Sequence, residues 1–399
     1  MGLGRRIIRT IGGIALIGAT AAVPAIDARA ADPYEVTVIL PLTGGASFLG
    51  KAEQIALQLA EKSVNDNGGI QGRPLGLVFQ DDQSSPQVAV QLASQVIAKK
   101  PAVLLGSSLV AMCNAMAPLM SNGPVMYCMS PGIHPAKDSY VFTSSVSTHD
   151  LAIALIRYFR LRGWTRLAVM TSSDASGQDA ERGILAAVGL PENKDIQLVE
   201  RTHFTPGDVS VSAQIEKVKA AQPQAFIAWS TGAPVATIFK GIVQAGLDIP
   251  VATTDGNMTR AQMAQYADFL PKQLYFPAGS WVAHGSQAQI DPAVKVAQDQ
   301  FYDAYKPTGS PPDAAATHGW GPGMMVFGAL RKLGPTVTAV QLRDYLTHLK
   351  GEPGINGLYD FTAEPQRGLS VNNAVVARWD ADKKDWVTVS QPAGTPLAP

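Results

Sequence analysis

Cysteine is almost absent from this chain. Cys113 and Cys128 are the only two in 399 residues, too few for a disulfide scaffold. Histidine is sparse as well. His134, His149, His203, His284, His318 and His348 are scattered, with no His-Glu-x-x-His pair and no Cys-x-x-Cys, so neither a metal site nor a cofactor is expected. A Gly-x-Ser-x-Gly elbow is also missing, which removes one nucleophile template. Asp81 and Asp82 are consecutive at a strand end; neighbouring strand side chains point to opposite faces, so they read as turn and cap residues rather than an acid pair. No enzyme is expected. Charge of one sign is lacking too, at 32 basic against 32 acidic residues, which offers no electrostatic footprint for nucleic acid or anionic lipid.

Long apolar runs are confined to the start. Arg5, Arg6 and Arg9 precede an apolar stretch from Ile11 to Val23, and Ala28-Arg29-Ala30 supplies a small-residue cleavage pattern. That stretch is shorter than the roughly 20 residues of a membrane span, so residues 1–30 read as a signal peptide cleaved near Ala30, with a periplasmic destination. Losing Arg5, Arg6, Arg9, Arg29 and Asp27 leaves 28 basic against 31 acidic residues. An exported chain meets an oxidising compartment. Cys113 near a helix start and Cys128 near the following strand's end occupy neighbouring positions of a β-α-β unit, so one bridge is expected, with two small buried thiols as the alternative.

What is present is alternation. Val36 to Leu40 is a buried-strand pattern running into Thr43-Gly44-Gly45; a helix follows to about Val64, then a strand at Leu75–Gln80. Ser85-Pro86 provides an N-cap and a proline at the first helical position. Strands at Ala102–Leu105 and Val125–Cys128 continue a first series, and strands at Leu167–Met170, Ile196–Arg201, Ala225–Trp229 and Val251–Thr253 form a second, each separated by helices. Repeated βα units at this spacing predict an α/β fold with parallel sheets. Helices from Asp291-Pro292, over Ala314–Leu333 and over Val340–Leu349 come next, and strands at Leu358–Phe361, Ala374–Trp379 and Trp386–Val389 end the chain. Two α/β series followed by a return to helices predict lobes built from discontinuous segments, 31–146 with 281–353 and 147–280 with 354–399, and a ligand cleft between them.

Gly45, Gly50 and Lys51 nearly spell a P-loop, but Ala52 stands where the motif needs a hydroxyl for Mg²⁺. Phe48 and Leu49 add bulk where amides would wrap phosphates. The turn remains useful, because helix N-termini present free N–H groups to an anion. Other strand ends repeat the arrangement: Gly106-Ser107-Ser108, Ser130-Pro131-Gly132, Ser172 to Gly177, Ser230-Thr231-Gly232 and Thr254-Asp255-Gly256-Asn257. Taken singly these residues are helix caps; together they make a ring of donors suited to a carboxylate. Met112, Met116 and Met120 share one helix face and read as core, whereas Met129 and Met258 sit beside strand-end turns.

Ile39-Leu-Pro-Leu-Thr-Gly44, Asn67-Gly-Gly-Ile-Gln-Gly-Arg73, Asp81-Asp82, Gly106-Ser-Ser108, Ser130-Pro131, Phe204-Thr-Pro-Gly-Asp208, Asp255-Gly256 and Phe301-Tyr-Asp-Ala-Tyr305 together resemble the extracytoplasmic binding proteins of ABC transporters, the branched-chain-amino-acid or type I periplasmic family. The resemblance implies two Rossmann-like lobes joined by a three-strand hinge, a Venus flytrap that closes on a small molecule and delivers it to membrane permease subunits, acting as a monomer. Relatives carry Ser-Pro-Ala-x-Thr where this chain has Ser130-Pro131-Gly132-Ile133-His134, and Tyr-Gly where it has Ser176-Gly177. Asp255 matches the acid that holds the ammonium in amino-acid binders. The Ser-Pro-Gly-Ile-His-Pro and Asp-Gly-Asn-Met-Thr runs look more like an aromatic-acid-binding branch. The resemblance therefore implies an aromatic carboxylate ligand held by Ser107, Ser108, Ser130, Gly132 and His134 from one lobe and by Ser176, Thr231, Asp255 and Asn257 from the other, with Phe48 walling the cleft. A branched-chain amino acid or amide, and a ligand sensor on the same fold, are the alternatives.

Overall fold

A computed structural model describes residues 1–4, 32–143 and 145–398; all but the first four residues of the expected signal peptide, and its cleavage pattern, lie outside the described residues. Among the described residues no helix is long and apolar enough to cross a membrane.

Strand β1 (Tyr34–Leu40) buries Val36, Val38, Ile39 and Leu40, as a strand covered on both faces should. Helix α1 (Ser47–Asp66), β2 (Leu75–Asp81), α2 (Pro86–Ala98), β3 (Val103–Leu105), α3 (Val110–Met116), β4 (Val125–Cys128) and β5 (Val141–Thr143) complete the first series. Ser85 caps α2 with Pro86 in its first turn, as expected. The five strands form one sheet in the order β2-β1-β3-β4-β5, with parallel pairing throughout. Cys113 of α3 is bonded to Cys128 at the end of β4, so the bridged alternative is the observed one.

The second series runs α4 (Thr148–Leu161), β6 (Arg166–Ser172), α5 (Ala175–Val188), β7 (Gln197–Phe204), α6 (Ser212–Ala220), β8 (Ala225–Trp229), α7 (Val235–Gln244), β9 (Val251–Ala252), α8 (Arg260–Gln265) and β10 (Leu274–Gly279). Helices α9 (Pro292–Tyr305), α10 (Ala314–Leu333) and α11 (Ala339–Thr347) lead to a hairpin, β11 (Lys350–Gly354) and β12 (Gly357–Asp360), and then to β13 (Ala374–Asp380) and β14 (Asp385–Thr388). The second sheet has the order β14-β13-β10-β9-β8-β6-β7. Its five strands β6 to β10 are parallel; β13 adds antiparallel to β10, and β14 antiparallel to β13. In both sheets the strand order turns back on itself, between β1 and β3 in one and between β6 and β8 in the other. Such reversal points open crevices at the carboxyl ends of the strands.

Helix α10 lies along α1. A Cβ at Gly319 would come within 2.6 Å of the Glu53 carbonyl oxygen, so glycine is what permits the close approach. The β11–β12 hairpin spans the position at which the sequence reading divides the lobes, 353/354. Beyond it Phe361 packs edge-on against Phe142 of β5 at 5.9 Å, and Gln366 O accepts from Thr143 N at 2.9 Å. The chain therefore stays with the first sheet through Gln366.

Candidate ligand-binding cleft

The two reversal points face each other. Ala233 N, beyond β8, donates to Gly45 O, beyond β1, at 3.2 Å. The near P-loop is thus a packing turn that meets the opposite wall. Gly44 has φ +84°, and a Cβ at Gly50 would sit 2.3 Å from the Pro41 carbonyl oxygen, so Gly50 serves the descent of α1 onto β1. Lys51 is exposed on α1, with no role in a phosphate cradle.

Of the ten residues expected to bind ligand, Ser108, Ser130, Gly132, Ser176 and Thr231 line this cleft. Ser176 and Thr231 hydroxyls are 2.7 Å apart. The strand–turn–helix corner after β6 brings Ser176 there: Asp174 caps α5 by accepting from Gly177 N at 3.0 Å, and Gly177 lies so close to the Ser172 carbonyl that a Cβ would overlap it, at 1.9 Å. As closed in this structure, the cleft leaves about 20 Å³ for the centre of a water molecule. That is room for about one water, so an organic ligand needs the walls to separate.

The other five lie elsewhere. Phe48 is half-buried beside Leu49, which takes the expected place in the wall. Ser107 is fully buried and donates to Asp82 Oδ2 at 2.5 Å. Asn257 ties strand ends together, donating to Ser230 O at 2.7 Å and Thr253 Oγ1 at 3.0 Å and accepting from Gly232 N at 2.9 Å. Asp255 stands behind His318, whose Nε2 is 3.3 Å from Asp255 Oδ2, both side chains 5% exposed. His134 turns from the cleft to Asp179 of α5, Nε2 to Oδ1 at 2.8 Å. Met129 and Met258 are buried in the core rather than lining the cleft.

Several lining groups had no signal in the sequence. His318 comes from α10, 63 residues beyond its partner Asp255, and reaches the cleft only because α10 packs on α1. Leu49 and Trp229 supply apolar walls, and Thr254, from one of the strand-end turns the sequence marked, adds a hydroxyl. Behind the wall, Ser108 donates its hydroxyl to the fully buried Glu53 carboxylate side chain. Burial pushes the Glu53 carboxyl well above the usual range; the Ser108 hydrogen bond opposes this, and Asp82 and Asp313 reinforce it.

A family model described as periplasmic binding protein matches residues 33–384. A Leu/Ile/Val-binding protein homolog of Brucella melitensis is 26% identical over 192 residues, 47% of this chain and 51% of that one, so the match spans about half the length of this curated relative. An extracellular ligand-binding receptor from Rhodopseudomonas palustris superposes with a TM-score of 0.77 at 20% identity, covering 90% of this chain and 99% of that one. The leucine binding protein LivK of Thermotoga maritima gives 0.75 at 19%, covering 89% and 97%. At such identities the structures establish the fold, two parallel-rich sheets in the type I arrangement, while the family match covers most of the sequence. The chain belongs to the type I periplasmic binding protein family, whose members bind small solutes.

Proposed function

We propose that this protein captures a small organic acid, an aromatic carboxylate of the benzoate or cinnamate kind, between two lobes and presents it to the permease subunits of an ABC transporter, catalysing no reaction. The lobes in this reading are 31–146 with 281 to about 369, and 147–280 with the remainder, the last crossing falling near Val371–Asn373 because the hairpin and Gln366 pack on the first sheet. The supporting observation is the His318–Asp255 contact. An ammonium group would need Asp255, yet His318 stands between that carboxylate and the cleft, and an imidazole with Ser108, Ser130, Ser176 and Thr231 hydroxyls suits an anion. Leu49 and Trp229 give the apolar surface that a ring would cover.

A branched-chain amino acid is the second reading, favoured by the acid at Asp255 and by what the Brucella and Thermotoga relatives are named for. A thermal-shift panel of benzoates, cinnamates and aliphatic amino acids separates the two, since any ligand that prefers the folded form raises the melting temperature by mass action. Aromatic acids should raise it. Stabilisation by leucine with none by any aromatic acid overturns the ligand assignment.

A further inference from the structure

Asp179 is a buried acid that His134, His149 and Arg182 all approach, and its surroundings look like an ion site. It projects from α5 with its side chain 1% exposed. His134 Nε2, from the loop after β4, lies 2.8 Å from its Oδ1. His149 Nε2, from the first turn of α4, lies 3.2 Å from the same oxygen. One donor atom from each of the three side chains falls within 4.8 Å of the others. Among the described residues, Asp179 Oδ2 is buried without a hydrogen-bond partner, and His149 Nε2 is buried with its 3.2 Å approach to Oδ1 not aligned as a hydrogen bond. The imidazole of His149 can approach because α5 carries Gly183, where a Cβ would come within 2.7 Å of the ring.

We propose that His134, His149 and Asp179 bind a divalent transition-metal ion of the zinc class, which clamps the loop after β4 to helix α5. Two imidazoles and one carboxylate are a ligand set that zinc, nickel and copper accept and that magnesium and calcium, which want oxygen, do not. Donors on one tetrahedral zinc are about 3.3 Å apart, given bonds of about 2.0–2.1 Å; the two imidazole–carboxylate spacings of 2.8 and 3.2 Å are close to that, and the three donor atoms, all within 4.8 Å of one another, have to draw together around the ion. His134, with 44% of its side chain exposed, leaves the ion an open side and an entry path.

Two cations face the site. Arg182 Nη2 is 3.1 Å from Asp179 Oδ1, but its side chain is 62% exposed and can swing into water. Arg367 is buried and committed elsewhere, to the Ser145 carbonyl at 2.7 Å and to the Ile133 carbonyl. Arg182 is therefore the competitor that an incoming ion displaces.

Titration of the chelator-stripped full chain with zinc chloride, followed by calorimetry and by melting temperature, tests this. Saturable binding of one ion with a rise in melting temperature is expected. His134→Ala, at an accessible position whose loss spares the fold, should weaken binding about 100-fold or more, because even outer-shell partners of a metal are worth about 10–100-fold. His149→Ala should do the same, and Arg182→Ala should tighten binding. Absence of saturable binding overturns the proposal, as does binding unchanged in the His134→Ala/His149→Ala double variant, which would place zinc elsewhere. Equal affinity for magnesium would overturn the ion class. None of these outcomes depends on which organic acid the cleft takes.

Discussion

Asp255 with His318 and Asp179 with His134 are both aspartate–histidine contacts between the two sheet systems, and they differ in their access to water. In the first, both side chains are 5% exposed and the ring faces the cleft. In the second, the acid is buried but the histidine is 44% exposed, and a second imidazole and Arg182 crowd the same oxygen. A dry pair depends on its few fixed partners, here His318 on Asp255 Oδ2 and the Thr254 hydroxyl donating to Oδ1 at 3.1 Å, because a buried polar group left alone retains its full desolvation cost. A half-wet cluster can exchange partners, and that freedom suits an ion-binding edge better than a fixed recognition element. The same residue pairing thus serves the interior of the cleft in one place and its rim in the other.

Displacing α5 should break the rim contact most severely. Gly177→Ala would press a methyl onto the Ser172 carbonyl at 1.9 Å; overpacking costs about 1–3 kcal/mol and occasionally more, and an overlap this deep with backbone belongs at or above the top of that range. Urea denaturation should show this loss, accompanied by loss of zinc binding, since α5 carries Asp179 as well as Ser176. Undiminished stability would mean that α5 is free to move, and the distinction between a fixed interior and an adaptable rim would fail.

The first wall has its own fastening. The Cys113–Cys128 bridge joins the middle of α3 to the end of β4 across a sequence separation of 15, between Ser108 and Ser130 on either side. A Cys113→Ser/Cys128→Ser double variant should lose about 3 kcal/mol on the chain-entropy account of a loop this size. Ligand affinity should fall with it if the bridge also holds the hydroxyls in place. A variant that melts earlier but binds as before would confine the bridge to stability.

The interior pair gives a smaller effect with a sharper meaning. His318→Ala removes the imidazole partner of buried Asp255 and leaves it the Thr254 hydroxyl, at a cost of about 1–3 kcal/mol. It also opens the acid to the cleft. Aromatic acids should bind more weakly to this variant, while leucine, whose ammonium could then reach Asp255, should gain affinity relative to them. Calorimetry with benzoate and leucine reads that change in ratio directly, and an unchanged ratio would remove His318 from recognition.

The sequence was most informative where chemistry is local. Period and capping place α1, α9 and α10 within a few residues and the start of α2 at Ser85-Pro86, and the glycine and serine turns mark the strand ends that meet at the cleft. Three strands escaped that reading. β5 is only three residues long, and β11, Lys-Gly-Glu-Pro-Gly, is exposed at four of its five positions. β10 contains Pro277, normally a sign against an interior strand; it is tolerated because β9 pairs only with Leu274 and Tyr275, leaving that flank of Pro277 free. The binding residues were legible as turns but not as partners. Ser107 and Asn257 read as ligand donors because nothing local reveals that Asp82 and Gly232 will engage them. His318, His149 and Asp179 carried no signal, because what gathers them is helix packing over dozens of residues, and scattered histidines read as the absence of a site.

A third buried acid completes the comparison, because it has a hydroxyl where the others have an imidazole. Glu53 receives the Ser108 hydroxyl, and its Oε1 has no partner. Its carboxyl is raised well above 4.5, by burial first, so the folded chain keeps this proton to higher pH than the unfolded chain does. The sign follows from linkage: the contribution of this group to stability is greatest below the unfolded value and declines as pH rises from there through the raised folded value. Glu53→Gln cannot titrate and should flatten that decline, with urea midpoints measured from about pH 5 to about pH 8 falling less steeply than in the parent chain. It should leave the low-pH stability nearly unchanged, because a protonated carboxyl and an amide are close in size and both can hydrogen-bond Ser108. Parallel profiles for the two proteins would mean that water reaches Glu53, and that this wall of the cleft is as wet as the rim.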